Sequence, residues 1–307
     1  MARTELFSRK QAGGVFTISD LSKHPNDIFF VHSGTGTDAA GYGYNPDTPV
    51  ATIDYAVALT TASKGDVIYV LPGHNEDLGE AQIDLDVEGI SVIGLGHGVN
   101  RPRVDFGHAD SSINIGASGI TLKNITLLPS ITDVLVAIDV VTLMTDTLIE
   151  DIETLPGEDG AGVDDFAVVV DIKVGCSRTV IRNLKVRQHA SGAGYIAGVQ
   201  LNGASDDVTV EDSDIAIIGA GVAAPISGLT TLSTNVRVMR NILVSDAEPG
   251  IELFTGTTGV VGENLVFSDL ATIAAAIVAD GCAMYRNEYI EVGPESGEVI
   301  GSPSIDD

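Results

Sequence analysis

The residues Val180-Ile181-Arg182-Asn183 join two β-branched apolar residues to a cation and an asparagine. The second half of this stretch, a charged residue followed by Asn or Asp, recurs at intervals of 23–32 residues in seven places between residues 123 and 287. The seven pairs are Lys123-Asn124, Glu150-Asp151, Arg182-Asn183, Glu211-Asp212, Arg240-Asn241, Glu263-Asn264 and Arg286-Asn287. Successive pairs are 27, 32, 29, 29, 23 and 23 residues apart. A repeat of this length predicts stacked structural units, that is, a solenoid.

Short apolar runs with a period of two precede each pair. Val168 and Val170, for example, come before Val180 and Ile181, and turn-forming residues lie between the two runs. Alternation of this kind between turn signals is typical of β-strands. The sequence therefore predicts two strands in each unit, followed by the charged pair.

The Asn/Asp position of the repeat has a conformational explanation. Asn and Asp tolerate the left-handed backbone conformation better than other non-glycine residues, so we expect a fixed bend here in every unit. Side chains at this position would stack at about 4.8 Å and form an amide ladder. The predicted ladder consists of Asn124, Asp151, Asn183, Asp212, Asn241, Asn264 and Asn287. The charge of the preceding residue alternates in sign along the repeat, which predicts ion pairs between neighbouring units that fix their register.

The composition excludes several classes of partner. A net charge of −27 disfavours nucleic acid, anionic membranes and acidic polysaccharides, because their binding depends on clustered cations. Such a charge suits the solubility of a crowded or multimeric particle. No cofactor is expected. Calcium remains an alternative because oxygen ligands are plentiful, although no known calcium-loop spacing is present.

The chain divides into four predicted segments. Residues 1–26 form an N-terminal arm and 27–82 a cap with a strand, a Gly-rich loop, a helix near 51–59 and a second strand. Residues 83–292 form the solenoid, and 293–307 an acidic tail. The arm has no apolar signal region, and its cations Arg3, Arg9 and Lys10 suggest docking onto a partner. The uncharged stretch 215–236 contains Pro225 and several glycines, so we do not interpret it as a membrane span.

The segments DIFFVHSGTGTD (27–38), PVATIDYAVAL (49–59) and GDVIYVLPGHNE (65–76) are similar to the opening of β-helix proteins encoded by tailed bacteriophages. Together with the repeat and the Asn/Asp position, they resemble the pectate-lyase-like superfamily. The resemblance implies an all-β fold, a right-handed single-stranded parallel β-helix with an N-terminal capping helix. It specifies the fold more than the role, so any site has to be argued from its residues.

Enzymes of this fold use acidic residues on neighbouring units, and two acidic doublets are candidates here. They are Asp164 with Asp165, and Asp206 with Asp207, although both doublets lie in connections between strands, where solvated acidic turns are the usual explanation. Tyr42 and Tyr44 are candidates for a sugar-stacking platform or for anchors of their Gly-rich loop. The chain has no Trp, and no constellation matches a lyase or a hydrolase.

We therefore expect a non-enzymatic virion protein, either a capsid decoration or a head-attached fibre. It would be made in the host cytoplasm and anchored through its arm to the major capsid protein or another virion protein. Association with itself is expected, with a trimer as the natural guess. The alternatives are a tailspike that binds or degrades a glycan, and a calcium-stabilised adhesin.

Overall fold

The computed structural model describes residues 10–11, 14–15, 27–132, 134–157, 164–187, 197–217, 224–228, 230–245, 248–270, 273–292 and 299–300. Its strands, numbered β1 to β30 in chain order, fall into three large sheets and one short hairpin. The hairpin pairs β1 (Lys10–Gln11) with β2 (Gly14–Val15) in antiparallel fashion. The predicted docking residues Arg3 and Arg9 lie outside the described residues, and Lys10 begins β1.

Each large sheet collects one strand from every turn of the chain. Sheet I contains β3 (Ile28–Val31), β4 (Val67–Val70), β7 (Ser91–Gly94), β10 (Thr121–Lys123), β13 (Leu148–Glu150), β16 (Val180–Arg182), β19 (Thr209–Glu211), β22 (Val236–Met239), β25 (Gly259–Gly262) and β28 (Cys282–Tyr285). Sheet II contains β5 (Asn75–Asp77), β8 (Arg103–Phe106), β11 (Thr126–Pro129), β14 (Glu153–Thr154), β17 (Lys185–Arg187), β20 (Asp214–Ile217), β23 (Ile242–Ser245), β26 (Leu265–Ser268), β29 (Glu288–Val292) and β30 (Val299–Ile300). Sheet III contains β6 (Ile83–Leu85), β9 (Ile113–Ile115), β12 (Val134–Val140), β15 (Phe166–Lys173), β18 (Ala197–Asn202), β21 (Ile226–Gly228), β24 (Ile251–Leu253) and β27 (Ile277–Val278).

Neighbouring strands within a sheet come from successive turns and run parallel, except for the antiparallel pair β29–β30. This confirms the all-β parallel solenoid predicted from the repeat. The stack begins at β3, so the segment predicted as a cap supplies the first strands of sheets I and II. Sheets I and II have ten strands each and sheet III has eight.

The prediction of two strands per unit was wrong, because a third strand follows the charged pair. Strand β20, for example, begins two residues after Asp212 and belongs to sheet II. Its inward residues Ile215 and Ile217 are fully buried. The sheet II strands are short and begin directly after a bend. In the sequence, their alternation of apolar and polar residues is therefore hard to distinguish from the preceding turn.

Apolar columns fill the interior of the stack. In sheet I the inward column is at most 2% exposed and is formed by Phe29, Ile68, Val92, Leu122, Ile149, Ile181, Val210, Val238 and Val261. The rings of Phe106 and Phe166 meet edge to face in the same core, with centroids 5.0 Å apart. Since each side chain packs on its counterparts one turn above and below, burial is continuous along the axis.

In the part of the chain that the structure describes, helix is limited to α1 (Ile53–Val57), α2 (Ile273–Ala276) and a 3-10 turn at Gly98–Asn100. Helix α1 is shorter than the stretch 51–59 predicted from helical spacing. Thr52 caps it by accepting a hydrogen bond from the Tyr55 N–H, and Ile53, Ala56 and Val57 face the core. The Asp54 carboxylate accepts the Asp84 N–H of β6, so α1 lies against the first strand of sheet III.

The bend between sheets I and II, which we call corner A, uses left-handed residues in seven consecutive turns. In the first four of these turns the left-handed residue is the predicted Asn or Asp, with φ between 51° and 59°, at Asn124, Asp151, Asn183 and Asp212. In the last three turns the prediction was wrong by one residue, because the charged member of the pair is left-handed, at Arg240, Glu263 and Arg286. The register explains the shift: Glu211 pairs with Met239, which places Arg240 level with Asp212.

A second left-handed column, which we call corner B, precedes sheet I and was not predicted. Its members have φ between 52° and 77° and are Gly65, Gly89, Gly119, Asp146, Arg178, Asp207 and Asn235. Each lies two residues before a position that is paired across sheet I. Corners A and B thus hold the two ends of every sheet I strand through the middle of the stack.

Candidate functional site

The alternating charges at corner A form ion pairs from one turn to the next. Lys123 Nζ lies 2.8 Å from Glu150 Oε2, and Arg182 contacts both Glu150 (3.6 Å) and Glu211 (2.8 Å). The hydrogen bond that Lys123 donates to Glu150 raises the pKa of Lys123. Arg240 continues the series to Glu211 at 2.7 Å. These cations are therefore held by the protein itself and are poorly placed to recognise an external anion.

The predicted amide ladder exists in two forms. On the outside of corner A, Asn183 Nδ2 donates to Asp151 Oδ1 at 2.5 Å, and Asn124 Nδ2 donates to the Gly94 carbonyl at 2.8 Å. We call Asn124, Asp151, Asn183 and Asp212 the outer ladder. Asn241, Asn264 and Asn287 instead point into the stack and are at most 7% exposed. We call these three residues the inner ladder.

The inner ladder is a chain of buried hydrogen bonds. Asn241 Nδ2 donates to Asn264 Oδ1, and Asn264 Nδ2 donates to Asn287 Oδ1, both at 3.0 Å. The same three amides also donate to the carbonyls of the preceding turn at 2.9–3.0 Å. Asn264 Oδ1 further accepts the backbone N–H of Asn241. Ser213 joins the ladder through its N–H, which donates to Asn241 Oδ1 at 3.0 Å.

The candidate acids Asp206 and Asp207 take part in the bend at corner B. Asp206 accepts hydrogen bonds from Thr234 Oγ1 (2.5 Å) and Asn235 Nδ2 (2.9 Å), and these bonds lower its pKa. Asp207 is left-handed and pairs with Arg237. Both side chains therefore bind residues of the next turn.

The other acidic doublet lies at the opposite end of sheet III. Asp164 and Asp165 immediately precede the eight-residue strand β15, and Asp165 is buried. Asp206 and Asp207 follow strand β18, in the connection to sheet I. A strand of eight residues spans roughly 26 Å, so the two doublets do not form one acid–base pair.

The tyrosine candidates are also isolated from these acids. Tyr42 packs against the core, and the Tyr44 ring, 57% exposed, lies 5.4 Å from the Phe29 ring. Both occupy the loop that follows β3, six strands from β19 in sheet I, or roughly 29 Å at about 4.8 Å per strand. Tyr42 and Tyr44 anchor their loop rather than extend a platform toward Asp206.

A groove of about 460 Å³ on the outer face of sheet II was missed by the sequence reasoning. Arg101 crosses it from Asn124 Oδ1 (2.7 Å) to Glu153 Oε2 (2.9 Å), and Arg103 binds Asp105 Oδ1 at 2.7 Å. The lining residues are Gly73, His74, Asn75, Gly98, Val99, Arg101, Arg103, Thr126, Glu153 and Leu155. Both arginines are bound by protein acceptors, and no aromatic side chain other than His74 lines the groove.

His74 occupies the floor of this groove in a fixed tautomer. Its Nδ1 accepts the Ser33 N–H at 3.0 Å, so the ring proton lies on Nε2, which contacts Glu76 Oε2 at 3.0 Å. Glu76 also accepts the Ile53 N–H at the start of α1. The buried pair therefore connects the first turn of the stack to the helix, which is a structural role.

Among the described residues, no group of three or more His, Cys, Asp or Glu side chains is arranged to hold a metal ion. Within the same residues, no helix is long and apolar enough to cross a membrane. No family model matches this sequence, and neither a curated protein nor a solved structure is significantly similar to it.

Proposed function

We propose that this chain is a non-enzymatic structural protein of a bacteriophage particle, a stiff rod fixed to the capsid exterior. The proposal is carried by one observation: in the described part of the stack, charged side chains form ion pairs with residues of neighbouring turns. Ion pairs of this kind involve Lys123, Arg178, Arg182, Arg187, Arg237, Arg240 and Arg286. Because these side chains are bound within the stack, they favour a rigid structural protein over an enzyme that turns over a substrate.

The dimensions of the stack suit such a role. Ten strands at about 4.8 Å make a rod roughly 43 Å long along its axis. Its net charge of −27 opposes non-specific association with nucleic acid. Phage origin is supported by the resemblance of residues 27–76, and we propose the N-terminal arm with Arg3, Arg9 and Lys10 as the attachment to the major capsid protein. A trimer is proposed as the state on the particle.

Particle labelling tests this proposal. Virus particles from cells that carry the gene are purified, and an antibody against residues 27–292 is used for gold labelling alongside peptide mass spectrometry. We expect labelled particles with regularly spaced sites. Particles that lack the chain would overturn the structural role. Particles complemented with a chain lacking residues 1–20 should be unlabelled, and retention of that shortened chain would refute docking through the arm.

The groove on sheet II supports one rival, a glycan-binding or glycan-degrading tailspike. The polar side chains in its lining offer donors and acceptors for sugar hydroxyls. The rival predicts binding or turnover of a neutral host polysaccharide that Glu153→Gln weakens, while Asp206→Asn leaves it unchanged. We expect neither binding nor turnover, and a positive result with this pattern would favour the tailspike.

A further inference from the structure

Four polar side chains meet on the outer face of sheet III. Asp139 of β12 pairs in register with Asp171 of β15, and Lys173 of β15 pairs with Asn202 of β18. The intervening residue Ile172 is fully buried in the core, so the neighbouring side chains point outward. Three adjacent turns of the stack thus contribute to one cluster.

One carboxylate oxygen joins the amine and the amide of this cluster. Lys173 Nζ lies 2.6 Å from Asp171 Oδ2, and Asn202 Nδ2 donates to the same oxygen at 3.2 Å. Asp139 Oδ1 lies 3.5 Å from Lys173 Nζ on the opposite side. A primary amine and a carboxamide are therefore held next to each other by an acid that can exchange protons with both.

Asp171 is unusually enclosed for a residue on an outer face. Its side chain is 3% exposed, and its second oxygen, Oδ1, has no hydrogen-bond partner among the described residues. Burial raises the pKa of Asp139, an effect that Lys173 partly offsets and Asp171 reinforces. The cluster thus contains acids in a partly dehydrated position, where proton transfer to and from a reacting group is favoured.

We propose that Lys173 and Asn202 form an intramolecular amide cross-link between β15 and β18. The Lys173 ammonium transfers a proton to Asp171, and the neutral amine attacks Cγ of Asn202. The new bond joins Nζ to Cγ, the attacking nitrogen passes its second proton to Nδ2, and the bond from Cγ to Nδ2 breaks. The ammonia released takes the proton held by Asp171 and departs as ammonium. No oxidant, reductant or further reactant is consumed, because one amide replaces another.

The position of Asn202 is fixed by its neighbour. Gly203 has φ +154°, and a Cβ at this position would lie 2.7 Å from the Val174 backbone. The close approach brings the end of β18 against the end of β15, where the amine and the amide face each other. Proximity of this kind replaces a bimolecular encounter and accelerates reactions between weakly reactive groups.

The reaction is opposed by the charge on the amine. Burial tends to lower the pKa of Lys173, but the hydrogen bond and charge of Asp171 raise it above its ordinary value. Attack therefore depends on the proton passing to Asp171, which makes that residue the catalytic acid–base group of the proposed step. Replacing Asp171 should stop the reaction even when the amine and the amide remain.

Intact mass spectrometry of the full chain under denaturing conditions tests the proposal. We expect a mass lower than the sequence mass by one ammonia, and a proteolytic fragment in which the Lys173 and Asn202 peptides are joined. Lys173→Arg keeps the cation but removes the primary amine, and Asp171→Asn keeps the size but removes the acid. Both variants should have the full sequence mass, and circular dichroism verifies that each is folded.

A cyclic imide at Asn202-Gly203 would also lose one ammonia, without needing Lys173. Loss of ammonia that persists in Lys173→Arg, or a wild-type chain of full mass, would overturn the cross-link. Lys173→Arg is the decisive variant because the cation and its ion pairs are retained. A joined peptide that disappears in this variant cannot arise from the imide.

Discussion

In the first four turns that carry the charged pair, its Asn or Asp bends the backbone at corner A, whereas in the last three the preceding charged residue does so. The same dipeptide therefore has two registers. In the outer ladder the polar side chains are partly exposed and contact neighbouring corners. In the inner ladder the amides replace the apolar residues Ile125, Ile152 and Leu184 of earlier turns and are buried.

The difference shows how a buried polar column becomes tolerable. A single buried amide leaves donors and acceptors unsatisfied, which is unfavourable in a low-dielectric core. Three stacked amides satisfy one another and also the carbonyls of the preceding turns. Repetition is thus what stabilises the inner ladder, and an interruption at its centre should affect both neighbours.

The largest expected effect follows from Asn264→Ala. The substitution removes the acceptor of the Asn241 N–H and the donors to the Val238 carbonyl and Asn287 Oδ1, all in the core. We expect a loss of about 3–5 kcal/mol in the free energy of unfolding. Urea denaturation monitored by circular dichroism measures it, with hydrogen exchange reporting which turns open first.

The matched control in the outer ladder is Asn183→Ala. It removes one partly exposed hydrogen bond and places alanine in a left-handed conformation, which together should cost about 1–2 kcal/mol. Equal losses of unfolding free energy in Asn264→Ala and Asn183→Ala would show that burial does not make the inner ladder contribute more than the outer ladder.

Much of this arrangement could be predicted from the sequence, and the failures have identifiable causes. The strands of sheets I and III follow from alternation, and the first bends follow from Asn and Asp. The one-residue shift was available too: Val208-Thr209-Val210-Glu211-Asp212 aligns with Val236-Arg237-Val238-Met239-Arg240 when the apolar residues are matched instead of the dipeptide. When the units are matched on the charged pair instead, the one-residue shift cannot be seen.

The groove and the Lys173 cluster were beyond sequence reasoning for a different reason. Asp139, Lys173 and Asn202 come together only through the register of three strands whose connections differ in length. Spacings of 23–32 residues between charged pairs cannot specify which side chains of sheet III share a row. Side-chain neighbours across turns therefore required the structure.

A smaller effect tests where the bend lies in the late turns. Glu263 has φ 56°, so Glu263→Gly should relieve backbone strain and raise the free energy of unfolding by about 0.5–1 kcal/mol. Glu150 precedes the bend in its own turn and ends strand β13, so Glu150→Gly should destabilise by about 1 kcal/mol or more. Thermal unfolding of both variants measures whether each substitution raises or lowers the free energy of unfolding. Destabilisation of similar size in both would contradict the shifted register.

The smallest effect concerns acid, which should act on the corners and not on the inner ladder. At corner B, hydrogen bonds from Arg178 (2.6 Å) and Thr145 (3.0 Å) lower the pKa of Asp146 from 3.8 to about 2. A carboxylate with a lowered pKa in the folded state stabilises fully above its unfolded pKa, and the contribution disappears as the pH falls toward the folded value. Asp146→Asn should therefore flatten the loss of stability between about pH 4 and pH 2. The change is expected to be small because both side chains are about half exposed and solvent screens the pair.

Unfolding free energies of the wild type, Asp146→Asn and Asn264→Ala across that pH range separate the two regions. Amides do not titrate, so Asn264→Ala should lower stability by the same amount at every pH and leave the acid slope of the wild type intact. Asp146→Asn should lower the value near neutral pH slightly, leave the value near pH 2 almost unaltered, and so flatten the slope between them. An acid slope that changes in Asn264→Ala would mean that opening the inner ladder releases the corner ion pairs, and the two regions would then unfold as one unit.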